Sequence, residues 1–270
     1  MSIANEVQRI KNNIAESYNI IEQKGGIIPS AKSSANLSDA IKSLGNVPIT
    51  YIAEGESGGS YRCFIYKNNG GQKGSLVVTI TRHNWATFSQ YASEIEIALD
   101  NVCSSWTGVG VPLNFAKLKS AGKSFMGSCQ QFNQIILFPM LENTELNFMN
   151  GCYAFNQDID FPLLEITKNN FMYDCIALNN KKITFHKLKI NSANGNFMEV
   201  YSGNANTNII ALEFQLEQNM VSLPTGFCRS RNTYNNIHGY VDLRIRQGSA
   251  NVNATNKTWA GHTFRSVTLI

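Results

Sequence analysis

Three features of the sequence predict an α+β chain: a helical, coiled-coil-like segment first, a short solenoid next, and a β cap last. The first feature is a repeat. Phe125-Met-Gly-Ser-Cys129-Gln-Gln-Phe132-Asn133-Gln134 recurs as Phe148-Met-Asn-Gly-Cys152-Tyr-Ala-Phe155-Asn156-Gln157. It recurs again as Phe171-Met-Tyr-Asp-Cys175-Ile-Ala-Leu178-Asn179-Asn180, each time after 23 residues. A period of that size belongs to solenoids of leucine-rich-repeat length, whose units bury their apolar surface only against one another. Second, Ile3, Val7, Ile10, Ile14, Ser17 and Ile21 alternate steps of four and three, the 3.5-residue period of a coiled coil. Third, residues 208–215, 240–247 and 263–270 alternate or cluster apolar positions as strands do.

Composition narrows the class. A hydrophobic fraction of 43% with only 16% charged residues describes a folded chain rather than a disordered one. The net charge of +4 is dispersed, without a basic run interleaved with aromatics, and predicts no nucleic-acid partner. No apolar run reaches the roughly 18 residues of a membrane span. The first residues lack the charged and apolar regions of a secretory signal, so the expectation is a product made in a cytoplasm.

In chain order, residues 1–45 form the helical segment. The helix over 3–24 ends at Gly25-Gly26, and a second short helix over 36–44 places Leu37, Ile41 and Leu44 on one face, able to fold back on the first. Two readings of the first helix stand side by side: an oligomerisation seam of Ile3, Val7, Ile10, Ile14 and Ile21, or an amphipathic helix packed on its own domain. Isoleucine at both seam positions favours three strands. Residues 46–98 read as a β-hairpin-containing region, with β structure over 49–93 and strand-like runs at 61–66 and 75–81 joined by the turn-rich 67–74. Residues 99–197 are the solenoid of about four units, beginning at 99, 125, 148 and 171. Leu99, Cys103 and Trp106 match the spacing of Phe125, Cys129 and Phe132, which makes the first unit 26 residues long with an insertion near 108–111. Each Phe-Met-x-x-Cys-x-x-Phe segment has the i, i+4, i+7 spacing of a short helical turn. The following segments, such as 135–138 and 159–161, read as strands, with Asn133, Asn156 and Asn179 satisfying backbone groups between turns. Residues 198–270 read as the cap.

Chemistry is sparse. Cys129, Cys152 and Cys175 are one core position sampled three times, not a metal or redox set. The four histidines form no zinc spacing, no nucleophile elbow exists, and neither metal nor cofactor is expected. Glu54-Gly-Glu-Ser-Gly-Gly59 lacks a phosphate-loop ending and reads as a turn. The pairs Asp158/Asp160 and Glu94/Glu96 have the form of glycosidase carboxylates, but also of polar faces on half-exposed strands. Tyr234, His238, Tyr240 and Trp259 could stack on a glycan, or pack the cap.

The run Ile3-Ala-Asn-Glu-Val-Gln-Arg-Ile10, the helix to Lys24-Gly25, the Ile-Pro step and Leu37-Ser-Asp-Ala-Ile41 together resemble the N-terminal module of tail, baseplate and fibre proteins of tailed bacteriophages infecting Firmicutes and related hosts. Gly26 departs from that pattern, where a Val or polar residue is usual. The resemblance implies an oligomerising or attachment segment. The central Phe-Met-x-x-Cys-x-x-Phe-Asn-Gln pattern is similar to leucine-rich-repeat relatives in bacterial surface proteins and some phage proteins, which implies a stacked parallel sheet and a scaffold or recognition role. Together the resemblances imply a non-enzymatic structural component of a phage tail, baseplate or fibre, made in the bacterial host and carried in the virion. It would act in assembly and host attachment as a homotrimer, with other tail proteins and a host cell-surface glycan or protein as partners. The alternatives are a bacterial leucine-rich-repeat-like adhesion protein and a tail-associated glycan-binding or hydrolysing protein.

Overall fold

The computed structural model describes residues 3–43, 49–191, 194–200, 208–230 and 237–270. The chain divides into two compact units, Met1–Ile49 and Thr50–Ile270.

In the first unit, α1 (Ile3–Gln23) and α2 (Ser34–Ser43) form a helical hairpin. The end of α1 is closed by a Schellman arrangement: Gly26 N–H donates to Ile21 O, Gly25 N–H donates to Glu22 O, and Gly25 takes φ +76°. Tyr18, Ile21 and Ala40 are buried together, with Ile14, Ile28 and Leu37 packed on them, and the Tyr18 hydroxyl donates to Ser33 O at 2.7 Å. The heptad seam is therefore divided. Ile21 is buried within its own unit, and Ile14 packs, partly buried, on the same small core. Val7 and Ile10 stay 46% and 48% exposed. The side chain of Ile3 lies outside the described residues.

The second unit is a β-solenoid of about six turns. It opens with a meander of β1 (Tyr51–Gly55), β2 (Cys63–Asn69) and β3 (Gln72–Ile80). The β2–β3 hairpin closes at Gly70-Gly71, both with positive φ, as a two-residue turn between right-twisted strands requires. The expected all-β stretch to residue 93 needs one correction, because residues Trp85–Ala92 form a helix, α3. The Asn84 side chain caps it by accepting from Thr87 N–H at 3.1 Å. Trp85 and Phe88 from α3 pack edge-on against Trp106, so helix and meander cover the first turn of the stack.

Each regular turn then has three sides. One is a row of short strands, β4 (Ile95–Ala98), β6 (Ser120–Ala121) and β8 (Asn143–Thr144), hydrogen-bonded in parallel and joined to the meander through β1. A second row starts with β5 (Leu113–Asn114) paired in parallel to β7 (Ile136–Leu137). It continues through β9 (Ile159–Phe161), β10 (Lys181–Phe185), β11 (Ile210–Phe214) and β12 (Ile237–Ile245), parallel neighbours in that order. Two short strands follow, β13 (Val252–Asn253) and β14 (Thr258–Trp259); β14 lies antiparallel between β13 and β15 (His262–Leu269), and β15 adds the last parallel strand against β12. The parallel stack thus runs on past Phe197. The segment read as a separate cap from 198 supplies further turns, and among its described strands β14 alone runs against the others.

The third side corrects the helical-turn expectation. In each Phe-Met segment the methionine is left-handed, with φ of 51°, 50°, 48° and 50° at Met126, Met149, Met172 and Met198. That geometry turns each methionine N–H along the stack, onto Val102 O, Phe125 O, Phe148 O and Phe171 O respectively, at 2.8–2.9 Å. A helix would have spent the same donors within one turn. The hydrogen bonds also reset the first unit. Asn101 N–H meets Lys123 O as Ser124 N–H meets Leu146 O, so Val102, not Leu99, stands at the Phe125 position and the first step is also 23 residues. Cys103 occupies a methionine position. It resembles Cys129 because both open the same kind of reverse turn, Trp106 N–H to Cys103 O and Phe132 N–H to Cys129 O.

The core is built of columns. Phe125, Phe148, Phe171, Phe197 and Phe227 stack nearly parallel at 5.2–5.4 Å. Phe115, Phe138, Phe161, Phe185 and Phe214 form a second column at 5.2–5.7 Å. All six cysteines are free and buried. The Cys129 thiol donates to Cys103 O at 2.9 Å and the Cys152 thiol to Met126 O at 3.2 Å, which suits a small weak donor between turns.

Candidate functional site

On a repeated stack a functional group reveals itself by failing to bond to the next turn, and most polar groups here do bond to it. Asn133 Oδ1 accepts from Asn156 N–H, and Asn156 Oδ1 from Asn179 N–H, both at 2.9 Å, as their position between turns predicts. Asn147, Asn170 and Asn196 make a second amide ladder.

The carboxylate pairs are consumed the same way. Asp158 accepts from Lys182 N–H at 2.7 Å, and Asp160 faces His186 Nε2 at 2.8 Å. Glu94 pairs with Lys117. Glu96 accepts from Lys119 at 2.5 Å and from Asn68 at 2.8 Å, and the Lys119 ammonium holds its carboxyl below the usual range. Each acid of a pair is tied to a different neighbour, so neither pair encloses a shared reacting position. Glu54 and Glu56 in the glycine-rich segment pair with Lys73 and Arg62. Among the described residues no cluster of His, Cys, Asp and Glu could hold a metal ion, and no helix is long and apolar enough to cross a membrane.

The aromatic quartet does not form a glycan platform. His238, Tyr240 and Trp259 are buried, and Tyr234 lies outside the described residues. Their inward placement has a local cause. A register shift in β12 between His238 and Asp242 brings Tyr240 in beside Val241, and Trp259 sits against Phe214 and Phe227. Cys228 O accepts from His238 Nδ1–H at 2.9 Å and from the Tyr240 hydroxyl. With its Nδ1 proton committed to that carbonyl, neutral His238 accepts at Nε2 from His262 Nδ1–H, 3.0 Å away. Burial lowers the pKa of His238 to about 4 and that of His262 below its ordinary value.

Two buried acids that the sequence reading passed over stand on the later turns. Glu213 lies between Lys182 at 2.9 Å and Arg244 at 2.7 Å. Burial opposes its charge, but hydrogen bonds from Lys182, Gln215 and Arg244 outweigh that and keep its carboxyl below the ordinary value. Glu199 accepts from Arg229 Nε–H at 2.6 Å, yet burial prevails there and its carboxyl lies above the ordinary value. The signal that could have found Glu213 is its place between Ala211 and Leu212 on one side and Phe214 on the other; in the parallel strands it stands opposite Thr184, two residues from Lys182, and opposite Arg244.

No family model, curated protein or solved structure matches this chain. Fold and surface define the class of protein as a β-solenoid, many of whose polar groups bond from one turn to the next.

Proposed function

We propose that this chain is a non-enzymatic structural component of a bacteriophage tail, a baseplate or fibre part, in which α1 joins three copies and the solenoid offers a surface to tail partners or to the host. The observation that carries the reading is the divided seam. Val7 and Ile10, at heptad spacing, remain exposed although Ile14 and Ile21 have a partner in α2. Two exposed branched residues one helical turn apart on a module resembling tail attachment segments are suited to a closed trimer. A trimer of scaffolds binds through several weak contacts at once and gains avidity without one tight site. The carboxylate pairs, tied separately to neighbouring turns, support the non-enzymatic part.

The experiment has two arms. Antibody against the solenoid, imaged on purified particles of a phage encoding the chain, should label the tail; labelled particles are expected, and unlabelled ones would overturn the virion reading. Mass measured by sedimentation of the full chain should be three times the monomer mass, and a monomer at micromolar concentration would overturn the assembly reading.

A further inference from the structure

The regular turns of the stack repeat every 23 residues, from Phe115 to Phe138 to Phe161. The later ones are longer. Register pairs Phe185 with Phe214 and Phe214 with Ile245, steps of 29 and 31 residues. Stacking does not need the extra residues, since the phenylalanine columns keep their spacing with 23. One added residue lengthens the corner after β11, and after β12 the next buried side chain is Trp259. In regular turns the corner is brief: Phe138 is followed three residues on by buried Leu141, and Phe161 by Leu164. After Phe214 the next buried side chain is Gln218.

These corners border a groove of about 680 Å³, lined among others by Lys189, Gln215, Glu217, Asn219, Arg246 and Gly248. Its floor is fixed. Gln218 spends its whole amide on the stack: Nε2 donates to Leu188 O and Leu216 O, and Oε1 accepts from Ile190 N–H, each at 2.9 Å. Gln218 N–H donates to Ser249 Oγ at 2.9 Å and Gln218 O accepts from Ala250 N–H at 2.8 Å, which clamps one corner to the next. Gly248 has φ +99°, and a Cβ there would lie 2.6 Å from Glu217 Oε1, so the glycine leaves that carboxylate its place in the groove.

Among the described residues some cations of the stack are spent on carboxylates, while others, such as Lys123, Lys168 and Lys181, are not. Lys117, Lys119, Lys182, Arg229, Arg244 and Arg265 each have a carboxylate partner. Among the described residues, Lys189 and Arg246 have none within ion-pair distance, although Glu217 lines the same groove. Two free cations attract an oxyanion. Glu217 repels a bare one and asks for a hydroxyl donor, while Asn219 offers both donor and acceptor.

We propose that this groove binds a polyhydroxylated ligand bearing an oxyanion, with Lys189 and Arg246 on the carboxylate or phosphate and Glu217 and Asn219 on the hydroxyls. The ligand class is an acidic saccharide or a polyol phosphate. The proposal stands apart from the virion reading and requires none of the aromatic quartet.

Calorimetric titration of the full chain tests it with three probes of matched length: an oligogalacturonate, a glycerol phosphate oligomer and a neutral glucan oligomer. Binding of at least one acidic probe is expected, with affinity at least tenfold above the neutral one and falling at least tenfold in Lys189→Ala/Arg246→Ala. Which acidic probe binds identifies the source of the oxyanion. Glu217→Gln should admit inorganic phosphate at least tenfold more tightly than wild type. Failure of both acidic probes, equal binding of the neutral one, or undiminished binding by the double variant would overturn the proposal. Should the double variant show an altered circular dichroism spectrum, Lys189→Gln and Arg246→Gln singly carry the same test, each with an expected loss of threefold or more.

Discussion

Phe148 shows what one side chain does in a stacked core. Its ring lies 5.4 Å from Phe125 below and 5.2 Å from Phe171 above, and meets Phe138 and Phe161 edge-on at 5.4 and 6.3 Å. Truncation removes contacts to three turns at once, and the neighbours cannot close the gap without breaking their own register. Phe148→Ala should cost about 3–5 kcal/mol, read as a lowered urea midpoint. A loss under about 1 kcal/mol would mean that the column collapses freely. His238 supplies a second test. Its folded pKa of about 4 lies under the ordinary value of 6.5, so the unfolded chain binds more protons between those limits. Stability is therefore full above pH 6.5 and falls as pH drops toward 4, by roughly 3 kcal/mol from this group. Carboxylates held low, such as Glu96 and Glu213, add their losses at more acid pH. The urea midpoint should fall between pH 7 and pH 4.5, and the slope should flatten in His238→Gln; an unchanged slope would show that the pair does not resist protonation.

At the scale of the element, α1 carries two patterns along one face. Its second half is held by α2 through Tyr18, Ile21 and Ala40. Its first half has no partner for Val7 and Ile10 in its own unit among the described residues. Charges placed in the first half should thus affect association and spare the hairpin. Val7→Asp/Ile10→Asp is expected to convert the oligomer to monomer by sedimentation while the unfolding transition of the solenoid stays put. An oligomer that survives this pair of changes would move the contact away from the heptad. The heptad itself was readable in the chain because 3.5-residue spacing is a property of order alone. Its division was not, because Ile14 and Ile21 choose between a partner in α2 and a partner in another copy according to how the Gly25-Gly26 turn returns the chain.

The second unit as a whole is close to one-dimensional. Each turn bonds to the one before and the one after, one end is covered by α3 and the meander, and the other finishes with β13, β14 and β15. Such a molecule is a sum of turns and interfaces. Removing residues 148–170 would join Asn147 to Phe171, reproducing the Asn170-Phe171 junction and bringing like positions into register. The shortened protein should fold, with an unchanged circular dichroism spectrum per residue and a lower urea midpoint. Removing half as many residues should abolish cooperative unfolding, because every inward side chain beyond the cut would leave its column. If both deletions behaved alike, the turn would not be the structural unit.

The sequence by itself determined the period, the phenylalanine columns, the burial of the repeated cysteines and the ladder of Asn133, Asn156 and Asn179. Each of these is a spacing of residue types, and stacking copies of a spacing leaves the inward positions little choice. It also marked the strands at 210–214, 237–245 and 262–269, within a few residues, by their alternation or β-branched content. The tertiary structure alone decided the left-handed methionines, the register of the first turn and the inward turn of His238, Tyr240 and Trp259. It alone assembled the groove from corners about 30 residues apart in the chain. The reason is common to all of these. A methionine N–H that finds a carbonyl one turn away, or a glutamine that bonds Leu188, Leu216 and Ile190 together, is committed by neighbours distant in sequence. Local pattern cannot distinguish such a commitment from a helical turn or an exposed polar corner.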